Sequence, residues 1–379
     1  MGRTLRKMGA SAFIALGMAG CADESGVIGP PPGGGPFSPQ ATAASIYSLR
    51  FAPDNVAVAH VRFISYSLGL TSSASRTPRT ETRGITPRAS LAPAFVPEGI
   101  KRAVADRTLR LSRGQSAVPL FPINFLGETF VYDAGLDAYV LDGSRGGAPQ
   151  NGIRFIMYTL DPDLRLPALP LHPIGFVDLI DHSDAVSTRL RVRAFDDTSG
   201  SNVALADYVV DGAFGSLSTG IIVNLLAEGF IADRNGRFDF ALDELLETDD
   251  TADLTLVSLV HEVVSAEGTR VELGVEGDLA NDGSFSDLVF RFDILGGAGV
   301  TRVDLDIVND QQDGTIRHGG AVEAVVGGTV SEPTFFRPGG GGFTVPQLLA
   351  LDEILFGIDD VLILADELYW PLGELFGVR

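Results

Sequence analysis

Apolar and polar residues alternate along residues 269–327, and two Asp-Gly pairs interrupt the alternation. Asp-Gly suits the centre of a two-residue type I′ hairpin, where both residues need a positive φ. If Asp282 and Gly283 form such a turn, Val275 lies opposite Phe290, and a slip of one residue would mix the two faces. One apolar and one solvated face are typical of an antiparallel sheet. The stretch therefore predicts consecutive antiparallel hairpins.

This register places apolar residues of both strands on one face and acidic residues on the other. The further predicted pairs are Val271–Ile294 and Leu273–Phe292 on the apolar face and Glu272–Asp293 on the polar face. Like charges directly opposite each other are destabilising unless water solvates them, so the polar face is expected to face solvent.

Two more hairpins are predicted by the same kind of signal. A turn at Asp313-Gly314 pairs Leu305 with Val322, Val303 with Ala324 and Asp304 with Glu323. A turn at Asn235-Gly236 places Ile231 opposite Phe240. Further runs rich in Val, Ile and Phe from residue 114 onward make the fold mainly β. We expect an antiparallel meander sheet, either a curved half-barrel or a sandwich, packed by a long C-terminal amphipathic helix.

That helix is predicted by a capping box and a seven-residue repeat after the glycines at 339–342. Thr344 as N-cap and Gln347 three residues later can accept hydrogen bonds from free backbone N–H groups at the start of the helix. Apolar residues recur along 348–369 and acidic pairs fill the fifth and sixth places of each repeat, which separates an apolar side from an acidic stripe. Pro371 is expected to end the helix. The broad apolar arc favours packing on the sheet over a two-stranded coiled coil.

The apolar sheet face and the apolar side of the helix would enclose a hydrophobic ligand. The residues predicted to face it are Val271, Leu273, Val275, Phe290, Phe292, Leu305 and Val322 on the sheet and Leu348, Leu355 and Leu362 on the helix. Over residues 114–370 the arrangement resembles the half-barrel of lipoprotein-carrier and lipid-shuttling envelope proteins, in architecture and not in any motif. The resemblance implies a binding module for an acyl chain or another hydrophobic molecule.

A positively charged start and a short apolar run precede Cys21. The run is too short to span a bilayer and predicts a signal peptide over residues 1–20. The small pair Ala19-Gly20 directly before Cys21 resembles a bacterial lipoprotein signal, which implies that Cys21 becomes the lipid-carrying first residue of the mature chain. Ala22 after it implies sorting to the outer membrane. The alternative is an ordinary secretory signal in which the chain's one Cys is incidental.

The mature chain divides by composition. Its predicted parts are a Pro/Gly tether over 21–40, an apolar segment over 41–70 that fits helix or strand equally, a basic Ser/Thr/Pro-rich linker over 71–113, the antiparallel β domain over 114–330, and a Gly-rich linker with the C-terminal helix over 331–379. The basic linker is expected to be solvated or to fold back on the acidic body, and an arm for anionic lipid is the alternative.

Charge and cysteine content exclude several classes of function. The net charge of −21 argues against nucleic acid, because phosphate backbones need Lys and Arg. A single Cys excludes a disulfide framework and a multi-thiolate metal site. His261-Glu262 begins like a zinc-protease motif, but Ser265 stands where the second His would be. No cofactor is predicted.

A calcium loop is a lesser alternative around the third hairpin. Asp233, Asn235 and Asp239, with Glu244, have the ligand spacing of an EF-hand, but Gly236 lies two positions too early. A hairpin accounts for Asn235-Gly236 better, so no metal site is assigned.

No nucleophile and base are spaced for catalysis, and no catalytic residue is assigned. We expect a non-enzymatic, lipid-anchored protein of the bacterial cell envelope that binds a hydrophobic or lipid ligand between its apolar sheet face and its C-terminal helix. Two alternatives stay open: a structural or adhesive β-sandwich without a ligand cavity, and a hydrolase with an unrecognised site. The expected partners are the membrane, through the N-terminal lipid, and a hydrophobic small molecule, whereas no protein partner is predicted.

Overall fold

The computed structural model describes most of the chain after residue 35. The described ranges are 36–52, 55–67, 120–161, 166–184, 187–217, 220–234, 236–249, 254–280, 285–297, 299–309 and 311–375. The predicted signal peptide, Cys21 and the basic linker over 71–113 lie outside these ranges.

Within the described residues, fifteen strands form one sheet, and the strands follow one another across it almost in chain order. They are β1 Thr129–Asp133, β2 Ala138–Leu141, β3 Gly152–Tyr158, β4 Pro173–Asp181, β5 Thr188–Asp196, β6 Val203–Leu217, β7 Gly220–Asp233, β8 Gly236–Asp249, β9 Leu254–Ser265, β10 Arg270–Ala280, β11 Phe285–Gly296, β12 Gly299–Val308, β13 Gln311–His318, β14 Ala321–Gly328 and β15 Pro333–Phe336. From β15 to β3 each strand is antiparallel to its neighbour, whereas β1 pairs parallel with β3 and antiparallel with β2. The predicted antiparallel meander is confirmed, as one open sheet and not as two packed sheets.

The first predicted hairpin has the predicted register. Val275 lies opposite Phe290, which in turn lies opposite Leu305 on β12, so three apolar side chains form one row. The pairs Val271–Ile294, Leu273–Phe292 and Glu272–Asp293 also form as predicted. Near the turn the register shifts by one residue between Asp278 and Leu279, and the predicted turn itself lies outside the described residues.

The second predicted hairpin is wrong. Gly314 lies in the middle of β13, opposite Leu305, and the predicted pairing of Leu305 with Val322 does not form. A Cβ at Gly314 would lie 2.2 Å from the carbonyl oxygen of Asp304. Glycine is therefore needed there because two backbones approach closely, not because the chain turns. This adds a strand, so five strands and not four lie between residues 269 and 328.

The true turns flank β13 on either side. Asn309, after β12, has φ +49°, and Gly319 and Gly320, after β13, have φ +56° and +91°. Both pairs of strands close over two residues, since Val308 lies opposite Gln311 and His318 lies opposite Ala321. Positive φ at both residues is what a type I′ turn demands.

The third predicted hairpin is displaced by one residue. Ile231 lies opposite Phe238 instead of Phe240, because Asp233 pairs with Gly236 across the turn. When the turn moves by one residue, the partner of each residue moves by two along the opposite strand. Residues two apart lie on the same face of a strand, so the face is unchanged. Ile231, Phe238 and Phe240 are accordingly all buried on one side.

The helices come from the two ends of the described chain. They are α1 Pro39–Ile46, a 3-10 helix Tyr47–Phe51, α2 Val56–Ser67 and α3 Val345–Leu375, with a short 3-10 turn Ile123–Phe125 before β1. The described part of the apolar segment over 41–70, which fitted helix or strand, is thus helical. At the start of α3 the backbone N–H of Thr344 donates to Gln347 Oε1 at 3.0 Å, as one half of the predicted capping box. The helix continues through Pro371, so the predicted end there is wrong.

The helices cover one face of the sheet, which we call the concave face, the opposite one being the convex face. At one edge α2 contacts β2, at the other α3 contacts β15, and α2 and α3 contact each other. One continuous apolar core, formed by residues of the strands and the helices, fills the concave face.

Two ion pairs join α3 to the N-terminal helices. Arg62 Nη1 of α2 lies 2.6 Å from Glu367 Oε1, and Arg50 Nη1 lies 3.1 Å from Glu353 Oε1. Part of the acidic stripe of α3 thus faces arginines of the preceding helices. His60 of α2 is buried and contacts the carbonyl oxygen of Tyr158 at 2.7 Å, which ties α2 to the end of β3.

Candidate functional site

The residues predicted to face a ligand form much of the interface between the sheet and α3. Their burial divides them into two groups. Val271, Leu273, Val275, Phe290, Phe292, Leu305 and Leu355 are buried. Val322, Leu348 and Leu362 are half-buried. Val322 differs because β14 carries a bulge opposite Ile316 and Arg317, so Ala324 and Val326 take the core positions of that strand.

Protein side chains fill this interface where the middle of α3 crosses α1 and β11. Gly357 lies so close to them that a Cβ there would be 2.7 Å from Ile46 Cδ1 and 3.2 Å from the ring of Phe292. Packing of this kind leaves no room for even one added methyl group without a shift. A ligand in this part of the interface would have to displace α3.

A buried polar pair lies on the same concave face, in β8 and β9. Glu244 follows Phe240 and Leu242 on the apolar side of β8, and His261 lies between Leu259 and Val263 on β9. His261 Nε2 lies 3.0 Å from Glu244 Oε1, and both side chains are at most 1% exposed. Burial of an ionisable pair is costly unless all its polar atoms are satisfied.

Two of the four polar side-chain atoms of this pair take part in no hydrogen bond. Glu244 Oε2 and His261 Nδ1 are buried and have no hydrogen-bond partner. A carboxylate oxygen accepts hydrogen bonds, and Nδ1 accepts or donates according to the tautomer and protonation of the ring. Two polar atoms therefore lie in an apolar interface without a partner, an arrangement that native proteins rarely leave unexplained.

Tyr369 of α3 lies beside this pair, because it contacts Leu225, the residue of β7 opposite Glu244. Its hydroxyl donates to the carbonyl oxygen of Leu225 on β7 at 3.3 Å. Burial raises the pKa of Tyr369, and the charges of Glu244 and Asp243 raise it further. Burial likewise raises the pKa of Tyr208 on β6, to which Glu367 contributes. Both phenols are therefore neutral at physiological pH.

The arrangement does not provide a nucleophile. Ser265 has a buried hydroxyl without a partner on the same face, but it is four residues from His261 along one strand, which is about 13 Å. His261 cannot accept a proton from that hydroxyl directly. The pair is thus able to form hydrogen bonds but is not arranged for nucleophilic catalysis.

The calcium candidates are separated by the strand pattern. Asp239 is exposed on the convex face and receives hydrogen bonds from Arg237, the shortest at 2.6 Å, whereas Glu244 is buried on the concave face. Asn235 lies outside the described residues. Among the residues that the structure describes, no three His, Cys, Asp or Glu side chains are grouped to hold a metal ion.

A groove lies on the convex side, over β1, β3 and β4 near the β2 edge of the sheet. This groove has a volume of about 450 Å³ and is lined by Thr129, Arg145, Gly146, Arg154, Ile156, Phe176, Asp197 and Asn202. Arg154 is bound to Asp178 by two hydrogen bonds, and Arg145 is paired with Asp142. Because both arginines are neutralised by acids, the groove has no excess positive charge to attract an anion.

Sequence reasoning missed Glu244, His261 and Tyr369 as a group. The signal was present in β8, where Phe238, Phe240, Leu242, Glu244 and Leu246 occupy alternate positions and all are buried. A carboxylate in an otherwise apolar series of alternate residues is a buried charge that needs an explanation.

No protein-family model, curated protein or solved structure matches this chain. Within the described residues, none of the helices combines the length and the apolar character that a membrane crossing requires.

Proposed function

We propose that this protein is a non-enzymatic, lipid-anchored protein of the bacterial cell envelope that binds a hydrophobic ligand between the concave sheet face and α3. The lipoprotein-like signal ending at Cys21 supports the anchor, and Ala22 after it supports the outer membrane as its place. The proposed ligand site is the apolar face that extends over most of the open sheet.

The observation that carries the proposal is how α3 covers that face. The helix belongs to no strand ladder, and an exposed glycine-rich connection, with positive φ at Gly340 and Gly341, links it to the last strand. Displacing α3 would therefore expose the apolar face without breaking a hydrogen bond between strands. A ligand with a long apolar chain would replace the contacts that the helix gives up.

One observation favours the structural alternative. Close packing at Gly357, Ile46 and Phe292 fills the centre of the interface with protein. A module whose interior is filled throughout would serve as a surface or adhesive element. The hydrolase alternative gains no such support from the described arrangement of Ser265 and His261.

The two proposals differ in whether the purified protein binds an apolar molecule. Native mass spectrometry of the lipid-anchored protein would show a noncovalent lipid adduct if it is a carrier. The delipidated full chain with Cys21→Ser would then bind the neutral fluorophore N-phenyl-1-naphthylamine in a saturable manner. Absence of both the adduct and saturable binding would leave the structural module.

A matched pair of variants locates the binding. Leu355→Asn places an amide in the buried interface, whereas Leu349→Asn changes a residue of α3 that is 66% exposed. We expect the first to weaken fluorophore binding and the second to leave it unchanged, with circular dichroism confirming that both fold. Equal binding by both variants would place the fluorophore elsewhere.

A further inference from the structure

We propose that Glu244 and His261 form the head-group subsite of this ligand and select an amphiphile with an uncharged, dihydroxylated head, such as a monoacylglycerol. The inference rests on the proposed function and adds the chemistry that the ligand must have. An apolar sheet face can hold any acyl chain, whereas the polar pair on it can discriminate between head groups.

The first argument is the number and kind of free atoms. Glu244 Oε2 and His261 Nδ1 are both buried and both lack a partner, while Oε1 and Nε2 are already bonded to each other at 3.0 Å. Two hydroxyl groups supply two donors, one for each free atom. A hydroxyl also accepts, so it satisfies Nδ1 in either protonation state of the ring.

The second argument is charge. Tyr369 on α3 is a neutral phenol whose pKa the charge of Glu244 raises, and Asp243, which points to the other face of β8, adds a further negative charge nearby. Arg62, the arginine of α2, is paired with Glu367. A carboxylate or phosphate head would add a second negative charge beside Glu244, and a protonated His261 could balance only one of the two. Burial of like charges is strongly unfavourable.

The third argument is access. Tyr369 lies beside the pair in the last turns of α3, where Pro371 has no N–H to donate in the helical ladder. Close packing at Gly357 is confined to the middle of α3, twelve residues before Tyr369. A ligand that reaches the pair from this end of the helix therefore does not have to pass Gly357.

The test is a competition between head groups on one chain length. The delipidated full chain with Cys21→Ser is loaded with N-phenyl-1-naphthylamine, which 1-monopalmitoylglycerol or palmitic acid then displaces at neutral pH. We expect the monoacylglycerol to bind at least about tenfold more tightly than the acid, the factor that corresponds to 1.4 kcal/mol. Glu244→Gln should remove this preference, because it turns an acceptor into an amide of the same shape.

Glu247→Gln is the matched control, since Glu247 lies on the same strand but on the other face. It should keep the preference. If Glu244→Gln does not fold, His261→Gln replaces it, and the preference should fall by less, because the partner atom Nδ1 is lost while the charge of Glu244 remains.

The outcomes separate the two proposals. Tight binding of both lipids with no effect of Glu244→Gln would overturn the head-group subsite and keep the hydrophobic site. A wild-type preference for palmitic acid would overturn the subsite as well. No saturable fluorophore binding by the wild type would overturn the proposed function, and the subsite with it.

Discussion

Arg154 and Asp178 lie opposite each other on β3 and β4 and form a bidentate ion pair, with distances of 2.7 Å from Nε to Oδ1 and 2.9 Å from Nη2 to Oδ2. The guanidinium also stacks 3.8 Å above the centre of the Phe176 ring. Asp178 is buried, so its charge depends on Arg154 for compensation. The arginine is therefore a structural partner of the carboxylate and not a free cation of the groove it lines.

Replacing Arg154 with Leu should destabilise the protein by about 3 kcal/mol, because a buried carboxylate loses its partner. The measurement is the free energy of unfolding in urea. The control is Arg237→Leu, which breaks the Arg237–Asp239 pair, whose side chains are half exposed, and should cost less than about 1 kcal/mol. The double variant Arg154→Leu/Asp178→Leu should be more stable than Arg154→Leu alone. A double variant that is less stable would contradict this account.

Gly314 and Gly274 give a second matched pair within the same sheet. A Cβ at Gly314 would overlap the backbone of Asp304, whereas nothing lies within 4 Å of a Cβ at Gly274. We expect Gly314→Ala to lower the free energy of unfolding by about 2 kcal/mol or more, since backbone atoms must move. Gly274→Ala should change it by less than about 0.5 kcal/mol. Equal effects in urea unfolding would show that β12 and β13 do not approach as closely as described.

The alternation of apolar and polar residues predicted the buried face of a strand better than it predicted the position of a turn. The register of Val275 and Phe290 followed from the pattern because a one-residue slip would have exposed the whole apolar set. The Asn235-Gly236 turn was misplaced, yet Ile231 is on the predicted buried face. Its partner differs from the predicted one by two residues, and residues two apart on a strand share a face. Periodicity of two therefore determines the face of a strand more firmly than its partner.

The wrong predictions at Gly314 and Pro371 share one cause. Each assumed that a residue type has one structural role, glycine in a turn and proline at the end of a helix. Asp313-Gly314 fits a turn by propensity, but Gly314 is required by a backbone contact with β12 that no local pattern shows. Pro371 was expected to end a helix that in fact continues to Leu375. The pair of Glu244 and His261 depends on which strands are neighbours, so spacing along the sequence could not reveal it.

His60 should make stability depend on pH. Its ring nitrogens lie 2.7 Å from the carbonyl oxygens of Val56 and Tyr158, and burial lowers its pKa below 6.5 despite these two contacts. As the pH falls through 6.5, the unfolded ring binds a proton before the folded ring does, which favours unfolding. The stabilisation that the neutral His60 ring contributes is fully present above pH 6.5. Below pH 6.5 the free energy of unfolding falls by up to about 1.4 kcal/mol per pH unit.

The check compares urea unfolding of the wild type and His60→Gln at several pH values. The glutamine variant does not titrate, so its disadvantage relative to the wild type should shrink as the pH falls. His172→Gln, at an exposed position, is the control and should run parallel to the wild type. A difference between wild type and His60→Gln that does not change with pH would contradict the assigned role of burial.

The proposed lipid attachment at Cys21 makes the most direct prediction about location. Each buried methylene of an acyl chain adds about 0.8 kcal/mol to membrane binding, and two or more chains give a stable anchor. Cys21→Ser should therefore move the protein from the membrane fraction to the soluble fraction, as measured by immunoblot after ultracentrifugation. Ala22→Asp keeps the cysteine and should keep membrane association while changing which membrane holds the protein. Unchanged retention of Cys21→Ser would show that something other than lipid at this residue holds the protein, and the lipoprotein proposal would fail while the fold would stand.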